Sequence, residues 1–313
     1  GALNHTSSTN NYGVAIGHEA GRLVTTGLKN TFIGGQSGYD LTTGGQNVAV
    51  GYGALYEATT SSNNTAVGYL ALLANTTGAS NTAVGSFAGG SITTGLENTL
   101  VGFETGVALT DADFNVAMGR LALSGDTLGS RSVAIGWGAL RVQNFTSATN
   151  TYNTAVGMNA GTAVTTGVQN TLIGGLAGDA ITTAGGNTAL GYQAMSALTT
   201  GGGNTAVGHQ SMANGVVTGL HNTGLGDGSL LVLTSGAYNT GLGKDALAAN
   251  TTASNNTGVG AFVLDANTTG ASNTAIGESA LGANTTGANN TAVGKSAMVA
   301  NTTGSYNAAV GMV

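Results

Sequence analysis

The sequence predicts an all-β protein, a parallel β-solenoid of about eighteen 17-residue coils. An aliphatic residue followed by glycine recurs every seventeen residues from Gly17 to Gly311, and the spacing slips only twice. Asparagine stands four residues before that glycine in sixteen of the eighteen repeats. The run that joins them, Asn-Thr-Ala-Val at residues 64–67, is too short for a helix and contains β-branched side chains that favour a strand.

We number each repeat from 1 to 17, so that the asparagine is position 1 and the recurrent glycine is position 5. Stacked in register about 4.8 Å apart, eighteen repeats would form a rod on the order of 80 Å long. Glycine at position 5, and usually at position 15, is expected at corners that need a positive φ or a close backbone approach. Asparagine at position 1 is expected to form a ladder of side-chain amides. Positions 9 and 12 exchange large and small residues, which indicates one shared interior volume.

The repeat runs through the whole chain, so we predict a single repeat domain over residues 1–313. Four repeats make a longer period of 68 residues, in which repeats with glycine at position 9 come in pairs. The spacing lengthens by four residues between Gly136 and Gly157, and we expect a surface loop there, near residues 144–151. Residues 1–3 resemble the middle of a repeat, so we expect the chain to be an excerpt of a longer fibre.

Composition argues against several classes of function. The chain has 7 basic and 13 acidic residues, a formal net charge of −6, and scattered basic side chains, so we expect no nucleic-acid binding. No apolar run approaches the ~20 residues that span a bilayer, so we expect no membrane insertion. Cysteine is absent and the histidines share no ligand spacing, so we expect neither a metal nor a cofactor.

Glycan cleavage would require a pair of carboxylates. The nearest pairs are Asp111 with Asp113 and Asp227 with Asp245, which we interpret as solvated surface acids, so we predict no enzymatic activity. A glycan depolymerase is one alternative. An ice-binding β-solenoid is another, because Thr-Thr recurs at positions 13 and 14, although adjacent residues face opposite sides and leave one outward threonine column.

Strand alternation places positions 2 and 4 on one side and position 3 on the other. With position 4 directed into the coil, position 3 faces outward, and it is alanine in most repeats and charged in none. An uncovered apolar column predicts packing against identical chains, as a parallel homotrimer. The alternative is that inside and outside are reversed. The predicted inter-chain residues include Phe32, Ala66, Ala83, Leu100 and Leu172.

Positions 6 and 7, directly after the corner glycine, are the most variable positions of the repeat. Because position 6 stacks in one column, Tyr52 and Tyr69 should be neighbours. Aromatic faces with polar groups nearby stack on sugar rings, so these residues are candidate contacts for a glycan or receptor. The alternative is that they plug the ends of the core or a seam between chains. The candidates at position 6 are Tyr52, Tyr69, Phe103, Trp137 and Tyr192.

Residues 64–78 read N-T-A-V-G-Y-L-A-L-L-A-N-T-T-G. This segment resembles the N-T-A-[IV]-G-Y-x-A-L-x-x-N-T-T-G repeats of phage tail-fibre proteins and related bacterial surface proteins, which often end in an endosialidase-type chaperone domain. It is more distantly similar to the head repeats of trimeric autotransporter adhesins. The resemblance, which extends over the whole chain, implies a trimeric structural fibre. Such a fibre would be extracellular, on a virion or a cell surface, and would present binding surfaces for a cell-surface glycan or protein receptor in host attachment.

Overall fold

The computed structural model of the chain describes residues 12–312, so the expectation drawn from residues 1–3 lies outside the described range. Within that range the chain is an all-β parallel β-solenoid of about 17 turns without a helix, which confirms the predicted fold class. The chain divides into two compact units, Gly1–Asn153 and Thr154–Val313.

In the first unit, successive repeats contribute parallel strands that pair with the same repeat position opposite, as Ala66 does with Ala83. Its described strands are β1 (Val14–Ile16), β2 (Thr31–Ile33), β3 (Val48–Val50), β4 (Thr65–Val67), β5 (Thr82–Val84), β6 (Thr99–Val101), β7 (Val116–Met118), β8 (Gly129–Ser130), β9 (Val133–Ile135) and β10 (Thr149–Asn150).

The second unit repeats this arrangement, and its strands also pair in parallel with neighbours one repeat away. Its described strands are β11 (Thr154–Val156), β12 (Thr171–Ile173), β13 (Thr188–Leu190), β14 (Thr205–Val207), β15 (Thr223–Leu225), β16 (Thr240–Leu242), β17 (Thr257–Val259), β18 (Thr274–Ile276), β19 (Thr291–Val293) and β20 (Ala308–Val310).

The asparagines at position 1 form the predicted amide ladder. Asn64 donates its backbone N–H to Oδ1 of Asn47 in the preceding coil (3.0 Å). Its Nδ2 donates to the carbonyl oxygen of Gly78 (2.9 Å), which lies at position 15 of the same coil. One side chain therefore closes its own coil and fixes it to its neighbour, and this satisfies a polar group that is fully buried.

The corner glycines at position 5 meet both of the predicted requirements. Gly34 has φ +134°, and a Cβ atom there would lie 2.5 Å from the carbonyl oxygen of Gly51 in the next coil. An L-residue would therefore be strained by its backbone and would also collide with the adjacent chain segment. Glycine at this position is what allows consecutive coils to stack at strand spacing.

The interior and exterior of the strands are reversed with respect to our main expectation, and the alternative assignment is correct. All five residues predicted to pack between chains are completely buried within this chain, so the predicted inter-chain role for them is wrong. Strand alternation also explains why: position 1 carries the buried asparagine ladder, and position 3 points to the same side. The five buried residues are Phe32, Ala66, Ala83, Leu100 and Leu172.

The larger residues at position 3 fit inside because glycine at position 9 leaves room for them. A Cβ atom at Gly38 would lie 2.6 Å from Cζ of Phe32, and one at Gly178 would lie 2.7 Å from Cδ2 of Leu172. The predicted exchange between positions 9 and 12 thus extends to position 3. Three positions share one close-packed interior volume.

The inserted segment near residues 144–151 is anchored at both ends. Phe145 is only 7% exposed, and its N–H donates to Oδ1 of the buried Asp126 (3.1 Å). β10 pairs in parallel with β8. The residues between these anchors are exposed, so the insertion projects as a short bulge from a fixed base.

Candidate receptor-contact edge

We call the side chains at positions 6 and 7 the edge. The five aromatic candidates at position 6 all point to solvent, with 41% to 51% of their surface exposed in the single chain. They therefore do not plug the core, and a role at a seam between chains stays a prediction. The exposed candidates are Tyr52, Tyr69, Phe103, Trp137 and Tyr192.

In the first unit the edge brings three aromatic rings together. Tyr52 and Tyr69 stack with ring centroids 5.8 Å apart and an interplanar angle of 15°, which confirms that they are neighbours. Phe87, at position 7, meets Tyr69 edge-on at 5.4 Å. Further along, the guanidinium carbon of Arg120 lies 5.7 Å from the ring centroid of Phe103. The stacking follows from the register, which places like positions one strand spacing apart.

In the second unit the edge combines an aromatic stack with polar pairs. Tyr192 stacks on His209 with centroids 5.9 Å apart and an interplanar angle of 12°. Nδ1 of His209 lies 3.0 Å from Oδ1 of Asp227. These groups place an aromatic ring face, an imidazole and a carboxylate within three neighbouring coils. The ring can stack on the C–H face of a sugar, and the two polar groups can hydrogen-bond its hydroxyls.

Other columns carry aromatic stacks that our sequence analysis missed. At position 10, Tyr39 and Tyr56 stack at 4.9 Å and the guanidinium of Arg22 lies over Tyr39. Partial burial, and then charge repulsion from Tyr39 and Asp40, raises the pKa of Tyr56. At position 17, a second pair stacks at 5.4 Å, and the residues are His221 and Tyr238. Aromatic residues seventeen apart are the signal that would have revealed both pairs.

Each carboxylate of the candidate pair Asp111 and Asp113 accepts a hydrogen bond from the preceding coil. Oδ1 of Asp111 accepts a hydrogen bond from the Thr94 hydroxyl, and Oδ1 of Asp113 accepts one from the backbone N–H of Leu96 (2.7 Å). Both acids thus bind the preceding coil. Among residues 12–312 there is no cluster of three or more histidine or acidic side chains placed to hold a metal ion. No helix in the same range has the length and apolar character needed to cross a membrane.

Comparison with family models and with curated proteins found no match for this chain.

Proposed function

We propose that this chain is a structural fibre segment that displays the edge to a cell-surface glycan or protein receptor. The observation that supports this most directly is the contrast between the frame and the edge. The coils reuse the same strand and corner glycine, and sixteen of the eighteen carry the position 1 asparagine, whereas position 6 changes from coil to coil and its aromatic side chains are exposed. A frame that is fixed by backbone hydrogen bonds tolerates any side chain at such a position, so recognition can vary without loss of the fold.

The segment would act as a parallel homotrimer, in a phage tail fibre or a cell-surface fibre. The basis for this association is now the outward face formed by positions 2 and 4. None of the residues at these positions is charged, and position 4 carries only Val, Ile, Leu or Met. Leu225 and Leu242, for example, keep 45% and 40% of their surface exposed. A long, charge-free aliphatic column is unusual on a monomer and suits an identical column on another chain.

Two measurements test the proposal. Light scattering after size-exclusion chromatography should give three times the chain mass of 30.3 kDa. Binding to candidate host cells should fall when Trp137 and Tyr69 are replaced by alanine, while the circular dichroism spectrum stays unchanged. Unchanged cell binding by this folded variant would refute the receptor role of these side chains. A chain that stays monomeric at all concentrations would refute the trimer.

An ice-binding solenoid is a second candidate that one observation favours. In the second unit, position 2 is threonine in nine consecutive strands, β11 to β19, and it faces outward beside the aliphatic column. This array is a threonine column additional to the Thr-Thr pattern, whose position 14 residues, such as Thr252 and Thr269, are also exposed. Thermal hysteresis of the purified chain tests it. A monomer with hysteresis would favour ice binding, whereas the absence of hysteresis would exclude it.

A further inference from the structure

The position 6 column lacks a side chain in two coils, and in both cases a tyrosine follows in the next coil. Gly35 lies beside Tyr52, and Gly175 lies beside Tyr192. A Cβ atom built on either glycine would lie 3.3 Å or 3.5 Å from Cδ2 of the neighbouring tyrosine, so the ring leans over the bare backbone. The part of the ring nearest the backbone lies over the glycine. The outer part of the same ring face is uncovered, because the glycine has no side chain.

The other face of each tyrosine is already occupied. Tyr52 stacks on Tyr69, and Tyr192 stacks on His209. Stacking holds each ring across the column and directs its free face toward the coil without a side chain. The ring is thus held in place before any ligand arrives, which lowers the entropic cost of binding.

The next side chain in each column closes the opposite side of the gap. His18 stands one coil beyond Gly35, and Met158 stands one coil beyond Gly175. Two strand spacings separate these side chains from the tyrosines, about 9.6 Å. A ring held between two contacting groups needs about 7 Å, twice the usual carbon contact distance. Each gap therefore admits one ring and is too narrow for a folded protein element.

Each gap has polar side chains at position 7 nearby, although position 7 of the second gap's own coil is Leu176. Near Gly35, Nε2 of Gln36 donates to Oε2 of Glu19 (3.3 Å), and both groups remain partly exposed. In the second unit the polar position 7 residues of the gap are Asn159 and Gln193, which flank Leu176. Nε2 of Gln210, in the coil beyond Tyr192, donates to Oε1 of Gln193 (3.0 Å). Amide and carboxylate groups of this kind bind hydroxyls. The net charge of −6 and the Glu19 carboxylate disfavour an anionic ligand.

We propose that each gap is a binding site for one pyranose ring of a neutral glycan. In the first unit the gap is formed by His18, Gly35 and Tyr52, and in the second by Met158, Gly175 and Tyr192. The C–H groups of the sugar stack on the free tyrosine face, and its hydroxyls hydrogen-bond the polar side chains at position 7. These side chains are Glu19 and Gln36 in the first unit and Asn159 and Gln193 in the second. This inference deepens the proposed receptor-binding function and rests on it, because it names the ligand class that the edge would recognise.

The test fills the gaps without removing the tyrosines. Neither glycine has a left-handed backbone, and the nearest atoms to an added Cβ belong to a tyrosine side chain, which at Gly35 must shift by a few tenths of an ångström. The Gly35→Leu/Gly175→Leu variant should therefore keep the fold while covering the free ring faces. Saturation-transfer NMR with cellohexaose and laminarihexaose should show binding to the wild type that is about tenfold weaker in this variant. A Tyr52→Ala/Tyr192→Ala variant should lose binding to the same extent.

The matched control places leucine at a position 6 that has no aromatic residue at position 6 of either adjacent coil, in the Ala261→Leu variant, whose neighbours along the column are Lys244 and Glu278. Its sugar binding should equal that of the wild type. Three results would each overturn the inference: no binding of either neutral hexasaccharide by the wild type, undiminished binding by the double glycine variant, or stronger binding of an alginate hexamer than of the neutral sugars. Light scattering on the same samples separates this outcome from a failure of the fibre proposal, because filling the gaps leaves positions 2 and 4 untouched.

Discussion

Asn75 shows how much a buried amide in this fold depends on its neighbours along the column. It lies at position 12, is fully buried, and neither its Nδ2 nor its Oδ1 has a hydrogen-bond partner. The residues one coil away on each side are Ala58 and Ile92, which offer no polar group. Asn267 occupies the same position in another coil, yet it bonds to Oδ1 of Asn250 (3.1 Å). The same residue type is therefore costly in one coil and stabilising in another.

Replacement of Asn75 by alanine should raise the stability of the protein by about 1 kcal/mol, because it removes two unsatisfied buried polar atoms and matches Ala58 in the adjacent coil. The matched variant, Asn267→Ala, should lower stability by about 1 to 3 kcal/mol, since it interrupts a satisfied ladder. Urea unfolding of both variants checks the prediction. A loss of stability in Asn75→Ala would show that its amide is satisfied in solution.

A second residue-scale prediction concerns pH and Asp179. Burial raises the pKa of this carboxyl above its ordinary value of 3.8, and its Oδ1 is buried without a partner. The folded state therefore holds its proton more tightly than the unfolded state, so stability falls as pH rises from 3.8 through the folded pKa. Asp179→Asn should be more stable than the wild type at pH 7, by less than about 1 kcal/mol because the group is half exposed.

Thermal unfolding of the Asp179→Asn variant at several pH values measures this effect. Its advantage over the wild type should shrink toward zero below pH 3.8, where the carboxyl is protonated in both states. An advantage that grows as the pH falls would contradict the assignment of the effect to burial of the charge.

At the scale of the structural element, the corner at positions 5 and 6 of one coil contains two adjacent glycines, Gly34 and Gly35, that have different roles. Gly34 has φ +134° and no room for a Cβ atom, because the Gly51 carbonyl lies against it. Gly35 has no left-handed backbone, and its nearest neighbour is a Tyr52 side chain that can shift. One glycine is required by the fold, and the other is not.

We therefore expect Gly34→Ala to destabilise the protein by at least about 2 kcal/mol, whereas Gly35→Ala should change stability by less than about 1 kcal/mol. Chemical denaturation of the two single variants provides the comparison. Equal losses of stability in the two variants would mean that the backbone conformation at position 5 does not determine which substitutions this corner accepts.

The strand itself is an element for which the periodicity predicted the type but not the orientation. Three residues with alternating directions give two faces, one with positions 1 and 3 and one with positions 2 and 4. Our main expectation directs the aliphatic position 4 into the coil and position 3 outward. The structure places Ala66 inside and leaves Val67 half-buried on the outer face, since the asparagine at position 1 must lie inside to reach its partners.

At the scale of the whole molecule, association should depend on the outward aliphatic column. In the second unit, Leu225 and Leu242 are opposite each other on neighbouring strands. Their replacement by aspartate places two adjacent charges on a face that would be buried between chains, which costs several kcal/mol and should give a monomer. The expected monomer should keep its β-sheet spectrum, because both side chains lie outside the coil.

Light scattering compares this variant with Thr252→Asp/Thr269→Asp, which adds the same charge at exposed positions on a different face. The threonine variant should retain the wild-type mass. If both variants behave alike, the column formed by positions 2 and 4 does not hold the chains together.

The sequence by itself determined the solenoid, its corners and its asparagine ladder. Each of these features depends on a local requirement that recurs at a fixed spacing, such as the positive φ of Gly34 or the hydrogen bond of the Asn64 amide. The period of the sequence is therefore enough to reveal them. The tertiary structure decided which strand face is inside, and it places Phe32 and Leu100 in the core, whereas we expected them on the surface. The reason is that closure of the coil joins position 1 to position 15, and only that closure decides which of two alternating faces encloses the core.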